Sequence, residues 1–234
     1  MLKLKDKYID EIENNFFPYW IQFIDEEYGG ILNCISNDGK EKLSDQKFTW
    51  SQGRWLWVLG RIHDLNKDNI FQSIDNKKLE KWMDDTYKFI VNNSIYGDSI
   101  CCFVLERDGT KVLDKNTGSY DASIYADCFA LIGMSQYIKT TKKAEYVDDA
   151  ILLYESIVKR IESGNYKTEP YPIPEGYSVH GIPMILVNTI YEYVKMRQRL
   201  GLSSDNEIEY GALKVRFILE ELYDGKHIRE HFST

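Results

Sequence analysis

The chain has 234 residues, of which 43% are hydrophobic and 14% aromatic, enough for a sizeable buried core. Its formal net charge is −8, and no basic stripe is present, which argues against a nucleic-acid partner. The N-terminal residues MLKLKDKYIDEIENN contain no apolar signal core, and no run of 18 apolar residues follows them. The sequence therefore indicates neither secretion nor a membrane span, and we expect a cytoplasmic protein.

Seven helical segments are predicted, and they alternate in character along the chain. The odd-numbered segments are amphipathic, with apolar residues every three or four positions, near 8–23, 76–94, 147–161 and 213–222. The even-numbered segments are apolar on nearly every side, at 47–64, 120–138 and 180–196. A helix that is apolar all round is buried all round. The alternation predicts two concentric layers, with amphipathic helices outside and apolar helices inside.

Short hairpins are predicted between the layers, because Asp-Gly pairs supply the positive φ that tight turns need. The pairs are Asp38-Gly39, Asp108-Gly109 and Asp224-Gly225. Outer helix, hairpin and inner helix then form a repeat of roughly 60–70 residues. We expect one all-α domain over residues 1–234, an α/α toroid with short β-hairpins. At this spacing a closed ring needs about 400 residues, so seven helices predict an incomplete ring and an N-terminal portion of a longer domain.

The cysteines and histidines give little sign of a metal site. Cys101 and Cys102 are adjacent, a poor geometry for a structural disulfide, and no CxxC occurs, so reduced thiols are expected. The segment HIREH, residues 227–231, resembles an inverted zinc motif but lies on a strand-like stretch rather than on a helix. We predict neither a metal nor a cofactor.

Three motifs follow one another on the three predicted inner helices. The second motif is SIYADCF, residues 123–129, and the third is IPMILVN, residues 182–188. The first motif consists of Trp20, Asp25, Gly29-Gly30, Asp38-Gly39, Lys47, Trp50, Gln52, Arg54 and Trp57. Together they resemble the N-acylglucosamine 2-epimerase family over almost the whole chain. The resemblance implies an (α/α)₆ barrel with a cavity at one end. It also implies interconversion of C2 epimers, or of aldoses and ketoses, through an enediolate and without a redox cofactor.

The same resemblance assigns candidate site residues. Arg54 matches the family's arginine, and a guanidinium can stabilise the oxyanion that develops on a sugar carbonyl. Trp50 lies one helical turn before Arg54 and is a candidate platform for a sugar ring. The other candidate substrate-binding residues are Tyr125, His180, Met184 and Glu230. Histidine suits proton transfer at neutral pH, but the family's two acid/base histidines lie beyond residue 234.

Alternatives remain for both the residues and the function. Arg54 could instead form a structural ion pair, with Asp127 as a candidate partner. A glycoside hydrolase on the same fold would need paired carboxylates, and the predicted inner helices offer Asp127 and little else. The chain could also bind a sugar or a protein partner without turnover, since it lacks both histidines. The apolar flanks of a half ring further predict self-association, for example as a homodimer.

Overall fold

The structure of the chain is a computed structural model that describes residues 2–233, without the side chains of the first two of these. Eight α-helices are present among these residues. They are α1 Leu2–Glu11, α2 Phe17–Ile21, α3 Thr49–Asn66, α4 Asn76–Phe89, α5 Ile124–Thr141, α6 Val147–Glu162, α7 Gly181–Arg199 and α8 Asp205–Phe217. A π-helical turn at Ile12–Phe16 joins α1 to α2, so the two form one continuous segment. Counted in this way, the helices form the seven predicted segments.

The two predicted layers are confirmed. The inner helices α3, α5 and α7 pack side by side, with α5 in the middle. On the outside, α4 covers α3 and α5, α6 covers α5, and α8 covers α7. The middle inner helix is the most enclosed, with 14 of its 18 residues buried. This position explains why its sequence has no polar side.

Glycines set the distance between α3 and α5. A Cβ at Gly53 would clash with the main chain of Phe129 and Ala130, and one at Gly133 would clash with the carbonyl of Gly53. The two helices therefore touch backbone to backbone at this level.

The inner helices begin slightly later than predicted. Residues 47–48 form a strand, so α3 starts at Thr49, and residues 120–123 lie outside the helix, so α5 starts at Ile124. Both stretches are held by neighbouring main chain: Thr49 N donates to Phe103 O, and Phe103 N donates to Tyr120 O. The apolar composition continues through these stretches, which is why hydropathy alone extends the helices too far.

Among residues 2–233, nine short strands connect the layers, and the three predicted turns are confirmed. Glycines 39, 109 and 225 all have positive φ, at 76°, 94° and 94°. The strands are β1 Cys34–Ile35, β2 Lys42–Ser44, β3 Lys47–Phe48, β4 Ile95–Tyr96, β5 Ile100–Cys101, β6 Val104–Leu105, β7 Lys111–Val112, β8 Tyr177–Val179 and β9 His231–Ser233. The pairing of β3 with β6, and of β8 with β9, joins successive repeats. These long-range pairs were not predicted from the sequence.

A buried ion cluster fastens the first hairpin to the second. Lys47 Nζ lies 2.8 Å from Asp25 Oδ2, and it also donates to the carbonyls of Gly29 and Arg107. The Arg107 guanidinium donates to both oxygens of the Asp25 carboxylate. Burial alone would raise the pKa of Asp25, but these hydrogen bonds outweigh it and lower the pKa to about 2. Two residues of the first motif therefore stabilise the fold.

Over residues 2–233, none of the helices combines the length and apolar character needed to cross a membrane.

Candidate active site

Each inner helix leaves one stripe that the outer layer does not cover. On α7 the stripe follows helical spacing through exposed Met184, Asn188, Tyr191 and Lys195. On α5 it contains half-buried Tyr125 and Phe129. On α3 it contains Trp50, Arg54 and Trp57. We call these stripes together the inner face, because they lie opposite the outer helices. The predicted site residues on helices are all part of it.

Arg54 is an exposed and unpaired cation on the inner face. Its guanidinium carbon lies 3.7 Å from the centroid of the Phe129 ring and 5.6 Å from that of Trp50. Within residues 2–233 it makes no ion pair and no side-chain hydrogen bond. The neighbouring apolar groups lower its pKa through desolvation. A cation held between aromatic rings without a counter-ion is available to an anionic or polarised ligand.

Open space adjoins Arg54 on the side away from α5. A cavity of about 240 Å³ lies there, lined by Trp20, Ile31, Asn33, Ser51, Arg54, Trp55 and Val58. Trp50, Tyr125, His180, Met184 and Glu230 do not line this cavity. That Arg54, Trp50, Tyr125 and His180 surround one cavity, as the three motifs on the inner helices suggest, therefore stays a prediction.

The alternative that Arg54 pairs with Asp127 is wrong. Asp127 points to the outer layer, where Arg160 of α6 is its ion-pair partner and Cys101 N donates to it over 2.8 Å. Complete burial raises the pKa of Asp127 to about 6, against the opposing effect of the Arg160 charge. The carboxylate thus ties α5 to α6 and to β5. It leaves Arg54 free because the two residues lie on different sides of their helices.

Trp50 is held by aromatic contacts. Its ring lies edge-on to Phe103, with centroids 4.9 Å apart, and nearly parallel to Phe48 at 6.0 Å. The ring is half-buried, so part of it reaches the inner face beside Arg54. The spacing of four residues had predicted that Trp50 and Arg54 share a helix side, and their contact confirms it.

A second group of candidate residues meets where α7 begins. His180 N donates to Glu230 O over 2.9 Å, which continues the pairing of β8 with β9. The Tyr125 hydroxyl lies so close to Gly181 that a Cβ there would clash with it. Burial, with smaller contributions from Cys128, Tyr166 and Glu230, raises the pKa of Tyr125 to about 12. Tyr125 is therefore a hydrogen-bond donor at neutral pH.

The remaining candidate residues reach solvent. Met184 lies one turn after His180 and is 51% exposed, and Glu230 is exposed on the segment before β9. Tyr125 lies four residues before Phe129, so α5 places this group one turn from Arg54. The chain thus presents two neighbouring groups on one face, a cation between aromatic rings and a polar group at the helix ends.

Sequence reasoning missed Phe129 as a site residue, but it placed Gln52 off the side of the helix that carries Trp50 and Arg54, and the structure agrees. Phe129 is the aromatic ring nearest to the Arg54 guanidinium, and its spacing from Tyr125 was the available signal. Gln52 is fully buried, and its side-chain amide bonds both the N–H and the carbonyl of Ile31, at 2.8 and 2.9 Å. It therefore holds the first hairpin against α3 and does not face the inner side.

Curated proteins similar to this chain include two kinds of sugar epimerase. N-acylglucosamine 2-epimerase of Bos taurus is 25% identical over 208 residues, which are 86% of this chain and 46% of that protein. Cellobiose 2-epimerase of Dictyoglomus turgidum is 24% identical over 155 residues, 66% of this chain and 36% of that protein. The chain spans about half the length, or less, of these relatives. A comparison with protein-family models gives no match.

The solved structure of cellobiose 2-epimerase from Spirochaeta thermophila has the same fold. It matches 99% of this chain and 57% of its own with a TM-score of 0.75, at 14% identity. The chain therefore has the α/α-toroid architecture found in sugar epimerases, as predicted. The resemblance to the N-acylglucosamine 2-epimerase family is likewise confirmed by the curated relatives.

Proposed function

We propose that this chain supplies part of the active site of a sugar epimerase or isomerase that interconverts C2 epimers, or an aldose and a ketose. The observation that carries the proposal is the unpaired Arg54 cation, held on Phe129 and Trp50 at the inner face. The substrate is a small sugar in its open-chain form, and no redox cofactor is required. The four free cysteines fit a reducing compartment, so the proposal includes a cytoplasmic location.

The chemistry assigns a role to each group. Removal of the proton at C2, next to the carbonyl, places negative charge on the carbonyl oxygen, and the charge of Arg54 stabilises it. Trp50 lies beside the reacting sugar. Tyr125 donates a hydrogen bond to a hydroxyl or carbonyl, and His180, Met184 and Glu230 contact the rest of the sugar. The proton transfers are left to two acid/base histidines of the family, which the resemblance does not match to any residue of this chain.

Two measurements on the 234-residue chain test the proposal. Titration with N-acetylmannosamine, glucose or mannose, followed by NMR, measures binding. Incubation with each sugar in D₂O measures exchange of the C2 proton. We expect saturable binding of at least one sugar without exchange. Arg54→Met should weaken binding about tenfold, because it removes the only charged donor assigned to the carbonyl.

A matched control keeps the total charge change equal. Arg216→Met removes an exposed arginine of α8, outside the inner face, and should leave binding unchanged. Absence of binding for all three sugars would contradict the proposal. Exchange by this chain would overturn the assignment of the base and would point to His180, His227 or His231. A polypeptide that also carries the two further histidines should exchange the C2 proton, and its Arg54→Met variant should do so about 10²–10³ times more slowly.

A further inference from the structure

A polar contact joins the first and third inner helices across the second. Trp57 Nε1 of α3 donates to Glu192 Oε1 of α7 over 3.0 Å. The other oxygen, Glu192 Oε2, lies 3.5 Å from Lys139 Nζ of α5. Glu192 is only 5% exposed. One carboxylate therefore contacts both of the other inner helices.

The Trp57–Glu192 hydrogen bond lies next to the Arg54 group, towards the C-terminal end of α3. Trp57 follows Arg54 by three residues on α3, so its ring is one turn further along the same stripe. Phe129, which stacks under the Arg54 guanidinium, occupies the corresponding stripe of α5. To reach α7, the Trp57 indole has to extend over α5. The indole therefore crosses the inner face one turn further along than Arg54 and Phe129.

The charge arrangement around Glu192 is poorly suited to a purely stabilising role. Oε2 is buried and accepts no hydrogen bond within residues 2–233. The Lys139 ammonium makes its short hydrogen bond, 2.6 Å, to Gln136 Oε1 instead. A buried ion pair with imperfect hydrogen bonds contributes little to stability, and apolar side chains of similar size would serve as well. The bond that does have good geometry is the one that orients the indole.

We propose that Glu192 is a positioning residue for the sugar site, which acts by fixing the Trp57 indole as the floor on which the sugar ring rests. The inference depends on the proposed function, because it presupposes that a sugar binds beside Arg54. Glu192 itself does not touch the sugar. Its effect is transmitted through the single hydrogen bond to Trp57.

Variants at the two ends of this bond test the inference in the 234-residue chain. Glu192→Ala removes the acceptor and should weaken sugar binding about tenfold. Glu192→Gln keeps an acceptor oxygen and should stay within about twofold of the unmodified chain. Trp57→Phe removes the donor and should weaken binding as much as Glu192→Ala. The double variant should bind the sugar as tightly as either single variant, because both substitutions break the same hydrogen bond.

The control is Glu162→Gln on the outer helix α6. It removes a carboxylate charge whose Oε1 lies 2.7 Å from Lys214 Nζ of α8. It should leave sugar binding unchanged. If Glu192→Ala lowers the unfolding temperature but leaves sugar affinity unchanged, Glu192 is structural and the inference is wrong, while the proposed function stands. Additive losses in the double variant would also overturn it. If the unmodified chain binds no sugar, both proposals fail. If Glu192→Ala does not fold, Glu192→Met keeps the test decisive, because it fills the space of the carboxylate without supplying an acceptor oxygen.

Discussion

Asp25 shows that a residue of a family-like motif can serve the fold rather than the site. Asp25 is 2% exposed, and its carboxylate holds Lys47 and Arg107 together. The Lys47 ammonium has no exposed surface and depends on this carboxylate for charge compensation. Removal of Asp25 would therefore leave an uncompensated buried charge, which is among the most costly defects in a protein interior.

Asp25→Asn should accordingly lower the free energy of unfolding by about 3–5 kcal/mol at pH 7. Denaturant titration followed by circular dichroism measures it. Glu27→Gln is the matched control, because Glu27 also pairs with Arg107 but both side chains are solvent-exposed. Its effect should stay below about 1 kcal/mol. Equal losses in the two variants would show that burial does not set the strength of the cluster.

The same cluster predicts an acid dependence of stability. The pKa of Asp25 is about 2 in the folded chain, below its ordinary value of 3.8. A lowered pKa means that the contribution is fully present above the unfolded value and is lost as pH falls through the folded value. The stability difference between the unmodified chain and Asp25→Asn should therefore shrink as the pH falls from about 4 to about 2. A difference that is constant over this range would contradict the assignment.

Single residues were predictable where the sequence contains a local conflict. Arg54 is conspicuous because it interrupts an apolar helix, and the structure places it unpaired on the inner face. The Trp57–Glu192 bond could not be predicted in this way. Its partners are 135 residues apart, and their meeting depends on how three helices pack. The burial of Lys47 and Asp25 could not be predicted for the same reason, since nothing in a hairpin sequence reveals which charged side chain will be buried.

At the level of elements, hydrophobic pattern predicted type and layer but not contact distance. The apolar character of α3, α5 and α7 identified the inner layer, and the Asp-Gly pairs identified the hairpins. The strands that join repeats are two or three residues long, too short for any periodicity to reveal them. The close approach of α3 and α5 follows from Gly53 and Gly133, whose role becomes visible only once the two helices are placed together.

Gly53→Ala should therefore destabilise the chain, by about 2–3 kcal/mol, because its methyl group would meet main chain that cannot move aside. Gly211→Ala on α8 is the control. There a Cβ would lie 3.1 Å from a side-chain methyl of Ile190, which can shift, and the better helix propensity of alanine offsets the crowding. Its net effect should lie within about 1 kcal/mol of zero. Thermal unfolding of both variants measures the difference. Similar losses would show that α3 and α5 are not in backbone contact.

At the scale of the whole molecule, the helices at the two ends of the layered arrangement, α8 at one end and the α1–α2 segment at the other, expose apolar side chains. We call these two ends the flanks. The helix α8 contains no buried residue, although it is rich in apolar side chains. The exposed apolar side chains on α8 and on the turn after it are Ile208, Leu213, Val215, Phe217 and Leu219. On the opposite flank, Phe16 is 61% exposed beside an apolar cavity of about 290 Å³. Apolar surface of this extent favours association.

We therefore predict that the purified 234-residue chain self-associates, with an average mass that rises with concentration. Sedimentation velocity over a hundredfold concentration range, about 1–100 µM, measures it. Phe16→Glu combined with Leu219→Glu should shift the distribution towards the 27.5 kDa monomer, because each charge opposes burial of one flank. Leu152→Glu is the control, since Leu152 is 53% exposed but lies on the outer helix α6, away from both flanks. A monomer at every concentration would contradict the prediction. An equal effect of Leu152→Glu would show that association depends on general surface hydrophobicity rather than on the apolar side chains of the two flanks.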